Sequence, residues 1–195
     1  MSIYLENLFF SYADQAVFDN LNAAILPGLN LVTGNESTGK STLLKILAGQ
    51  LKPNSGTITG SDHSVYWADV KSDAFDQMTA LDYFKSLTIT FPAFDQDRAQ
   101  QIAVDVGLEP HLNKPLYMLS TGSKRKVWIA AGAASNAQLV LIDEPYAALD
   151  GPSSRAVTAL LLTASKDKTR TWLIADYQVP DANTGIVLAS VIHLN

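Results

Sequence analysis

The sequence predicts an α/β fold, and three features of its hydrophobic pattern support that prediction. Residues 139–142 and 171–175 form continuous apolar runs, which are typical of parallel strands covered on both faces. Residues 29–33 form a β-rich run, and the leucines that follow Lys40 recur at helical spacing. Because such strands are separated by helical segments, we expect helices layered on a parallel sheet.

The composition is that of one folded domain. The chain has 195 residues, of which 47% are hydrophobic and 17% are charged, so disorder is excluded for most of its length. Against 19 Asp and Glu there are 14 Lys and Arg, and this net charge of −5 argues against a broad basic surface for nucleic acid. The absence of cysteine excludes disulfides, thiolate metal sites and cysteine nucleophiles. We expect a single domain over residues 1–195 and no nucleic-acid partner.

Membrane insertion is not expected from the hydrophobic pattern. The amino-terminal segment lacks the basic start and long apolar run of a signal peptide. Elsewhere the apolar runs are interrupted by Gly, Asn or charged residues well below membrane-spanning length. Any role at a membrane would therefore require a partner subunit.

The amino-terminal third has the pattern of short strands with one helix. Residues 3–25 alternate apolar and polar positions, with turn signals at 13–15 and 19–20, which predicts two or three short antiparallel strands. The other elements expected here are a strand at 29–33, a helix ending at Gly49, a turn at 53–56, an edge strand at 57–59 and a buried strand at 64–68.

A helical subdomain is predicted from about residue 79 to residue 136. Helical patterns lie at 81–84, at 96–106 and at 124–134. The last of these begins with Lys124, Arg125 and Lys126, which we interpret as a solvated first helical turn in preference to a basic patch.

The strongest motif is a glycine-rich loop that fits the pattern G-x-x-x-x-G-K-[ST]. In such a loop successive backbone N–H groups surround phosphate oxygens, and the following helix presents its positive end. Lys40 adds charge, and the hydroxyl of Ser41 can ligate Mg²⁺. The predicted nucleotide-binding residues are Gly34, Asn35, Glu36, Ser37, Thr38, Gly39, Lys40, Ser41 and Thr42.

Two carboxylates follow a buried strand directly. Asp143 and Glu144 come after the apolar run at 139–142, and open α/β sheets place ligands at the carboxyl ends of their strands. Asp143 is a candidate Mg²⁺ ligand, and Glu144 is a candidate catalytic residue that polarises an attacking water. A strand that simply ends in polar residues is the alternative, which the neighbouring phosphate loop weakens.

Taken together, these motifs resemble the nucleotide-binding subunit of an ATP-binding cassette (ABC) ATPase. The resemblance covers nearly the whole chain, because Asp143-Glu144-Pro145 and a loop at 147–150 like the family's S-A-L-D loop follow in the family's order. Small haem-exporter-like subunits resemble the chain best, both in residues 119–122 and in length. The residues that resemble the family's L-S-G-G-Q signature are Leu119, Ser120, Thr121, Gly122 and Ser123.

The resemblance implies a P-loop NTPase core of ABC type, with an amino-terminal antiparallel β region and a helical insertion. ATP and Mg²⁺ are the implied cofactors, and Tyr12 is in the place of the family's adenine-stacking residue, although a packed strand residue is nearly as good an interpretation. The resemblance also implies two subunits that face head to tail, so that each ATP is held between the phosphate loop of one subunit and the signature of the other. This arrangement would place Asp150 in the dimer-interface loop. The implied partners are a second ABC ATPase subunit, identical or different, and a transmembrane permease. The implied location is cytoplasmic, on the inner face of the membrane.

Several positions depart from the family pattern. Ser37 stands where an additional glycine is usual, at a position that could need positive φ. Thr121 and Ser123 replace a glycine and the glutamine of the signature, and their hydroxyls can still contact phosphate. The glutamine of the loop at 68–77 is missing, with Asp69, Lys71 and Gln77 as candidate replacements. His63, His111 and His193 match no motif and are interpreted as structural or solvent-exposed.

The departure that matters most for mechanism is Asp176. It stands where the family has a switch histidine, directly after the strand at 171–175. A carboxylate there would repel the γ-phosphate unless it were protonated or bridged by a cation. Hydrolysis is therefore expected to be slow or to depend on the other subunit.

Three functions follow from these observations. The first is an ATPase subunit that energises an ABC membrane transporter through ATP-driven dimerisation. The second is a nucleotide-binding module with weak or no hydrolysis, a degenerate partner or regulator, which Asp176 and the missing glutamine favour. The third is an ABC ATPase acting on DNA or ribosomes, which the acidic balance and the lack of a second cassette argue against.

Overall fold

The computed structural model describes residues 2–60 and 63–195, and these residues form two units. One unit comprises the residues up to Trp67 together with Gln138–Glu144 and Leu161–Asn195, and the other comprises Ala68–Ala137 and Pro145–Leu160. Met1, Ser61 and Asp62 lie outside the described residues.

The described chain forms eight strands and five α-helices. The strands are β1 (Ile3–Tyr12), β2 (Gln15–Ile25), β3 (Gly28–Thr33), β4 (Ser55–Thr59), β5 (Val65–Trp67), β6 (Leu139–Asp143), β7 (Thr171–Asp176) and β8 (Ser190–His193). The helices are α1 (Lys40–Leu47), α2 (Ala80–Thr90), α3 (Gln96–Asp105), α4 (Thr121–Ala134) and α5 (Gly151–Lys166), with 3₁₀ turns at Glu109–His111, Leu116–Met118 and Ala182–Thr184.

An antiparallel sheet with the strand order β2-β1-β4 forms the amino-terminal part of the first unit. The prediction of antiparallel strands is confirmed, as is the edge position of the strand at 57–59. The predicted turn at 19–20 is wrong. Asn20 has a φ of +60° but lies within β2, where three steps from Phe18 to Leu21 face two steps on β1. The extra residue is accommodated as a bulge, so a turn-forming asparagine bends the strand without ending it.

A parallel sheet with the strand order β5-β6-β7-β3-β8 forms the rest of the first unit. The two apolar runs became the central strands β6 and β7, which confirms their prediction as covered parallel strands. The strand predicted as buried at 64–68 is shorter, and it lies at the edge of the sheet, where only Tyr66 is buried. Neither β8 nor α5 was predicted from the sequence.

Helix α1 packs into the hydrophobic core of the first unit. Leu43 and Leu44 are fully buried in a cluster that also contains Leu5 of β1 and Leu173 of β7. The cluster contains residues of both sheets, because α1 buries apolar side chains on more than one face. Packing in the core of the first unit therefore fixes the position of Lys40, the residue at which α1 begins.

The second unit is built from α2, α3, α4 and the amino-terminal part of α5. Side-chain caps begin three of these helices, because an oxygen of Thr79, Asp95 or Ser120 accepts a hydrogen bond from the backbone N–H three residues later. Helix α4 begins at Thr121, three residues before the predicted start, since Ser120 caps it.

The basic triplet at the start of α4 is not a solvated turn, and that prediction is wrong. Arg125 and Lys126 are only 7% and 8% exposed. Arg125 donates a hydrogen bond to the carbonyl of Ala147 at 2.6 Å, and the ammonium of Lys126 lies 3.6 Å from the carboxylate of Asp150. Lys124 forms an ion pair with Asp76. Contacts inside the second unit therefore engage all three cations, an arrangement that the local sequence pattern does not reveal.

No helix in the described part of the chain is long and apolar enough to cross a bilayer.

Candidate functional site

The glycine-rich loop connects the end of β3 to the start of α1. Ser37 and Gly39 have φ values of +63° and +98°, and two left-handed residues so close together turn successive N–H groups toward one side of the loop. The expectation of positive φ at Ser37 is confirmed. A Cβ at residue 39 would lie 2.5 Å from Cγ1 of Val17, so packing as well as backbone conformation requires glycine there. Of the other predicted loop residues, Asn35 and Glu36 are exposed, and the hydroxyl of Thr38 donates to the carbonyl of Asn35 at 3.0 Å.

Lys40 folds back over its own loop. Its ammonium donates to the carbonyl oxygens of Gly34 and Asn35, each at 2.7 Å, and lies 4.0 Å from the ring centroid of Tyr177. The side chain is only 6% exposed, so these contacts replace water around its charge. The loop thus keeps a desolvated cation beside its backbone amides, which is the charge that a phosphate group requires.

Ser41 and Asp143 meet although 102 positions separate them in the chain. The hydroxyl of Ser41 donates to Oδ2 of Asp143 at 2.6 Å. Register explains the contact, because Asp143 ends β6 and pairs with Ala175 of β7, whose other neighbour is β3 with the loop. A hydroxyl and a carboxylate are the hard oxygen ligands with which Mg²⁺ is held beside nucleotide phosphates, so this pair fits a magnesium ion.

Glu144 follows Asp143 in a left-handed conformation with a φ of +48°. Its N–H donates to the carbonyl of Ala175 at 2.8 Å, which fixes the backbone immediately beyond β6. A non-glycine residue held at positive φ stores strain, and such strain often occurs at functional sites. The side chain is partly exposed at the same edge of the sheet as the phosphate loop.

Asp176 ends β7 beside Thr33, the last residue of β3. Burial, with a further contribution from the charge of Glu144, raises the pKa of Asp176 above its ordinary value of 3.8, against the lowering effects of backbone N–H groups and Lys40. One of those N–H groups is that of Tyr177, which donates to Oδ1 at 2.7 Å. The prediction that a carboxylate lies at the end of this strand is confirmed. Its effect on hydrolysis stays a prediction.

Tyr177 is a residue of this site that the sequence reasoning missed. Its carbonyl accepts a hydrogen bond from the hydroxyl of Thr33 at 3.2 Å, and its ring lies over the ammonium of Lys40. Partial desolvation and the charge of Glu144 raise the pKa of the phenol. Its position directly after a parallel strand was the available signal, since ligands bind at that edge of such sheets.

Tyr12 packs as a strand residue, and its role in stacking on adenine stays a prediction. It ends β1, and its hydroxyl lies 3.3 Å from Oγ1 of Thr42 in α1. Its ring packs edge-on against Phe10 at a centroid distance of 4.9 Å and is still 48% exposed. The ring is therefore held in place by packing, and part of the side chain remains open.

The signature residues and the loop at 147–150 lie together in the second unit. Gly122 is in the first turn of α4, where a Cβ would collide with the carbonyl oxygen of Ala148. The hydroxyl of Ser120 accepts from the N–H of Ser123 at 3.1 Å, and Asp150 accepts from the N–H of Ser153 at 2.8 Å. Hydrogen bonds from Ser153 lower the pKa of Asp150. Leu119 is buried and Thr121 is exposed.

A strand, a phosphate-binding loop and a helix, together with a strand of the same sheet that ends at Asp143 and is followed by Glu144, define a P-loop nucleotide-binding protein. The model of the ABC transporter family matches residues 18–147, and the chain belongs to that family.

Similarity to individual proteins agrees with this membership. The taurine import ATP-binding protein of Roseobacter denitrificans is 30% identical over 161 residues, covering 77% of this chain and 60% of that protein. The ergothioneine transport ATP-binding protein of Helicobacter pylori is 26% identical over 196 residues, covering 92% of each chain. A solved dimeric bacterial ABC transporter cassette has the same fold, with a TM-score of 0.80 at 22% identity over 98% of this chain and 94% of that one.

Proposed function

We propose that this chain binds and hydrolyses ATP as the subunit that energises an ABC membrane transporter. The contact of Ser41 with Asp143 is the observation that carries the proposal, because it joins the phosphate loop to the carboxylate that precedes Glu144. Family membership supports it, and so do relatives whose names describe ATP-binding proteins of transport systems.

The chemistry proposed is phosphoryl transfer to water. The loop amides and Lys40 would hold the β- and γ-phosphates, Tyr12 would stack on the adenine, and Ser41 and Asp143 would hold Mg²⁺. A bound magnesium ion would neutralise the charge that develops on the phosphate oxygens. Glu144 would accept a hydrogen bond from the attacking water, whose oxygen bonds to the γ-phosphorus as the bond to the β–γ bridging oxygen breaks. The bonding pair leaves with ADP, and the water proton passes through Glu144 to solvent.

Dimerisation is part of the proposal. The signature residues and Asp150 would complete the nucleotide site of a second ABC ATPase subunit, with residues 79–136 acting as the helical subdomain of one ATP-binding domain over residues 1–195. A solved cassette of the same fold is dimeric, which supports this arrangement. A transmembrane permease would hold the pair at the inner face of the membrane. Relatives named for different cargoes, taurine and ergothioneine, support a role in energising transport and not in choosing the cargo.

The alternative is a nucleotide-binding module with weak or no hydrolysis, acting as a degenerate partner or regulator. The observation that favours it is the carboxylate of Asp176 at the end of β7, since its charge interacts unfavourably with that of Glu144. A further negative charge beside a triphosphate opposes binding of the γ-phosphate and the charge that develops during its transfer.

A turnover assay separates the two functions. Purified protein is incubated with Mg-ATP, released phosphate is measured, and ATP binding is measured by calorimetry. We expect the Glu144→Gln variant to bind ATP and release no phosphate, the Lys40→Ala variant to lose binding, and the control variant Glu6→Gln, altered at an exposed position of β1, to behave as wild type.

The outcomes are distinct. ATP binding without phosphate release by the wild type supports the module and excludes the ATPase. Phosphate release that Glu144→Gln leaves unchanged excludes Glu144 as the catalytic residue. ATP binding that survives Lys40→Ala contradicts both functions, because both require the phosphate loop.

A further inference from the structure

The charge of Lys40 is enclosed by its neighbours. Its ammonium has three N–H donors, and it donates to the carbonyls of Gly34 and Asn35, each at 2.7 Å. The ring of Tyr177 covers a further side of the ammonium, with the ring centroid 4.0 Å from Nζ. Because only 6% of Lys40 is exposed, a phosphate oxygen reaches this charge only after one of these contacts opens.

The ring is the contact that opens most easily. The two carbonyls belong to the phosphate loop itself, so moving them would distort the loop between β3 and α1. The side chain of Tyr177 is 49% exposed, and exposed side chains rotate freely on a fast timescale. A cation over an aromatic ring is also held less strongly than one that donates a hydrogen bond. Rotation of the tyrosine therefore uncovers Lys40 at the lowest cost.

The backbone of Tyr177 is anchored, which confines this motion to its side chain. Its carbonyl accepts from the hydroxyl of Thr33 at 3.2 Å, and its N–H donates to Oδ1 of Asp176 at 2.7 Å. Thr33 and Asp176 are paired at the ends of the adjacent parallel strands β3 and β7. The anchored backbone therefore keeps the ring within reach of Lys40 whenever no phosphate occupies the site.

We propose that the ring of Tyr177 is a gate on the phosphate site, which competes with the phosphates of ATP for the ammonium of Lys40. Molecules with the ring in place are closed to phosphate, so the apparent affinity for ATP is lowered by the fraction that is closed. The inference rests on nucleotide binding by the phosphate loop, which the proposed ATPase and the alternative module share. It gives Tyr177 control of nucleotide entry and no part in the chemical step.

The first test measures the equilibrium binding of Mg-ATP by calorimetry. Tyr177→Leu removes the ring and keeps an apolar side chain, whereas Tyr177→Phe keeps the ring. We expect Tyr177→Leu to bind ATP about fivefold more tightly than wild type and Tyr177→Phe to bind as wild type, because the ring and not the hydroxyl covers the cation. The control is Tyr4→Leu on β1, where Tyr4 has a similar exposure of 47%, and it should leave the affinity unchanged.

The second test identifies the step that the ring controls. Association and dissociation of a fluorescent ATP analogue are measured by stopped flow with the same variants. We expect Tyr177→Leu to raise the association rate about fivefold and to leave the dissociation rate nearly unchanged, because a gate lowers the fraction of molecules open to phosphate. A leucine that only made new contacts to the bound nucleotide would lower the dissociation rate instead.

Failure of the inference is distinguishable from failure of the function. If Lys40→Ala loses the ATP binding that wild type shows, and Tyr177→Leu binds no more tightly than wild type, the inference is overturned and the phosphate loop stands. Weaker binding by Tyr177→Leu also overturns it, because the ring would then support the site. Tighter binding that Tyr177→Phe shares, or that comes from the dissociation rate alone, overturns it as well. If neither wild type nor Tyr177→Leu binds ATP, nucleotide binding itself is excluded, and the inference with it.

Discussion

Asn30 is fully buried in β3 and donates from Nδ2 to the carbonyl of Trp172 in β7 at 3.0 Å. The same amide group donates to the carbonyls of Leu26 and Gly28, and its Oδ1 accepts from the N–H of Leu26 and from the hydroxyl of Ser190. A polar side chain with this many hydrogen-bond partners is buried at little cost in free energy, whereas a substitution that removes those bonds would cost much stability. It connects the start of β3 to both neighbouring strands, and β3 carries the phosphate loop.

Replacing Asn30 with Asp should destabilise the fold strongly. The change keeps the size of the side chain, removes the two donors of Nδ2 and introduces a buried charge. We expect a loss of about 3 kcal/mol or more in the free energy of unfolding, measured by urea denaturation. The matched control is Asn113→Asp at an exposed position, which should change the free energy of unfolding by less than about 0.5 kcal/mol. Equal losses in the two variants would contradict the network.

Replacing Ser41 with Ala should weaken the binding of ATP only when magnesium is present. The hydroxyl of Ser41 is bonded to Asp143, and we propose that the two hold the ion together. We expect a loss of affinity of about 10-fold in Mg²⁺ and nearly wild-type affinity in EDTA, both measured by calorimetry. Ser55→Ala on the edge strand β4 is the control. A loss of the same size in EDTA would show that Ser41 contacts the nucleotide and not the metal.

Replacing Asp176 with Asn should both stabilise the protein and tighten ATP binding at neutral pH. Because the pKa of Asp176 is raised in the folded state, its proton favours folding, and that contribution is lost as pH rises through the folded pKa. The wild type therefore loses stability relative to Asp176→Asn between acidic and neutral pH. With screening at this partly exposed site, we expect the variant's melting temperature to be higher by about 2 °C at pH 7, with the difference shrinking toward pH 4.

The affinity of Asp176→Asn for Mg-ATP should rise about fivefold, because one like charge is removed from beside the phosphates. Calorimetry at low and at high salt checks the cause, since a charge effect is larger at low salt. A variant that melts lower than wild type at pH 7, or that binds ATP less tightly, would show that the Asp176 carboxylate is required and not tolerated.

Replacing Gly122 with Ala should strongly reduce the pairing of subunits while sparing nucleotide binding by the single chain. A Cβ at residue 122 would collide with the carbonyl of Ala148, so α4 and the loop at 147–150 must move apart. We expect ATP-dependent dimers, measured by light scattering with Glu144→Gln to prevent turnover, to be reduced at least about 10-fold. Gly151→Ala is the control, because the atom nearest to its added Cβ is a side-chain nitrogen of Arg155 at 3.5 Å. Dimers that form as readily with Gly122→Ala would remove this loop contact from the pairing mechanism.

Features that depend on local backbone conformation and on neighbouring residues could be predicted from the sequence. The glycine spacing of 34–41 predicted a phosphate loop, and the apolar run before Asp143 placed that carboxylate at a strand end, because both follow from local conformation and strand burial. The wrongly predicted turn at Asn20 and the missed strand β8 have the opposite cause. Their conformations depend on pairing with distant strands, β1 and β3, which no local pattern contains.

The sequence by itself determined the family, the phosphate loop and the order of the central strands along the chain, since each is written in contiguous residues. Only the tertiary structure decided which side chains meet at the sheet edge. It brought Ser41 to Asp143 and set the Tyr177 ring over Lys40, and in the second unit it engaged Arg125 and Lys126 with the loop at 147–150. Strand order and register make the contacts at the sheet edge, because parallel strands far apart in the chain end at a common edge.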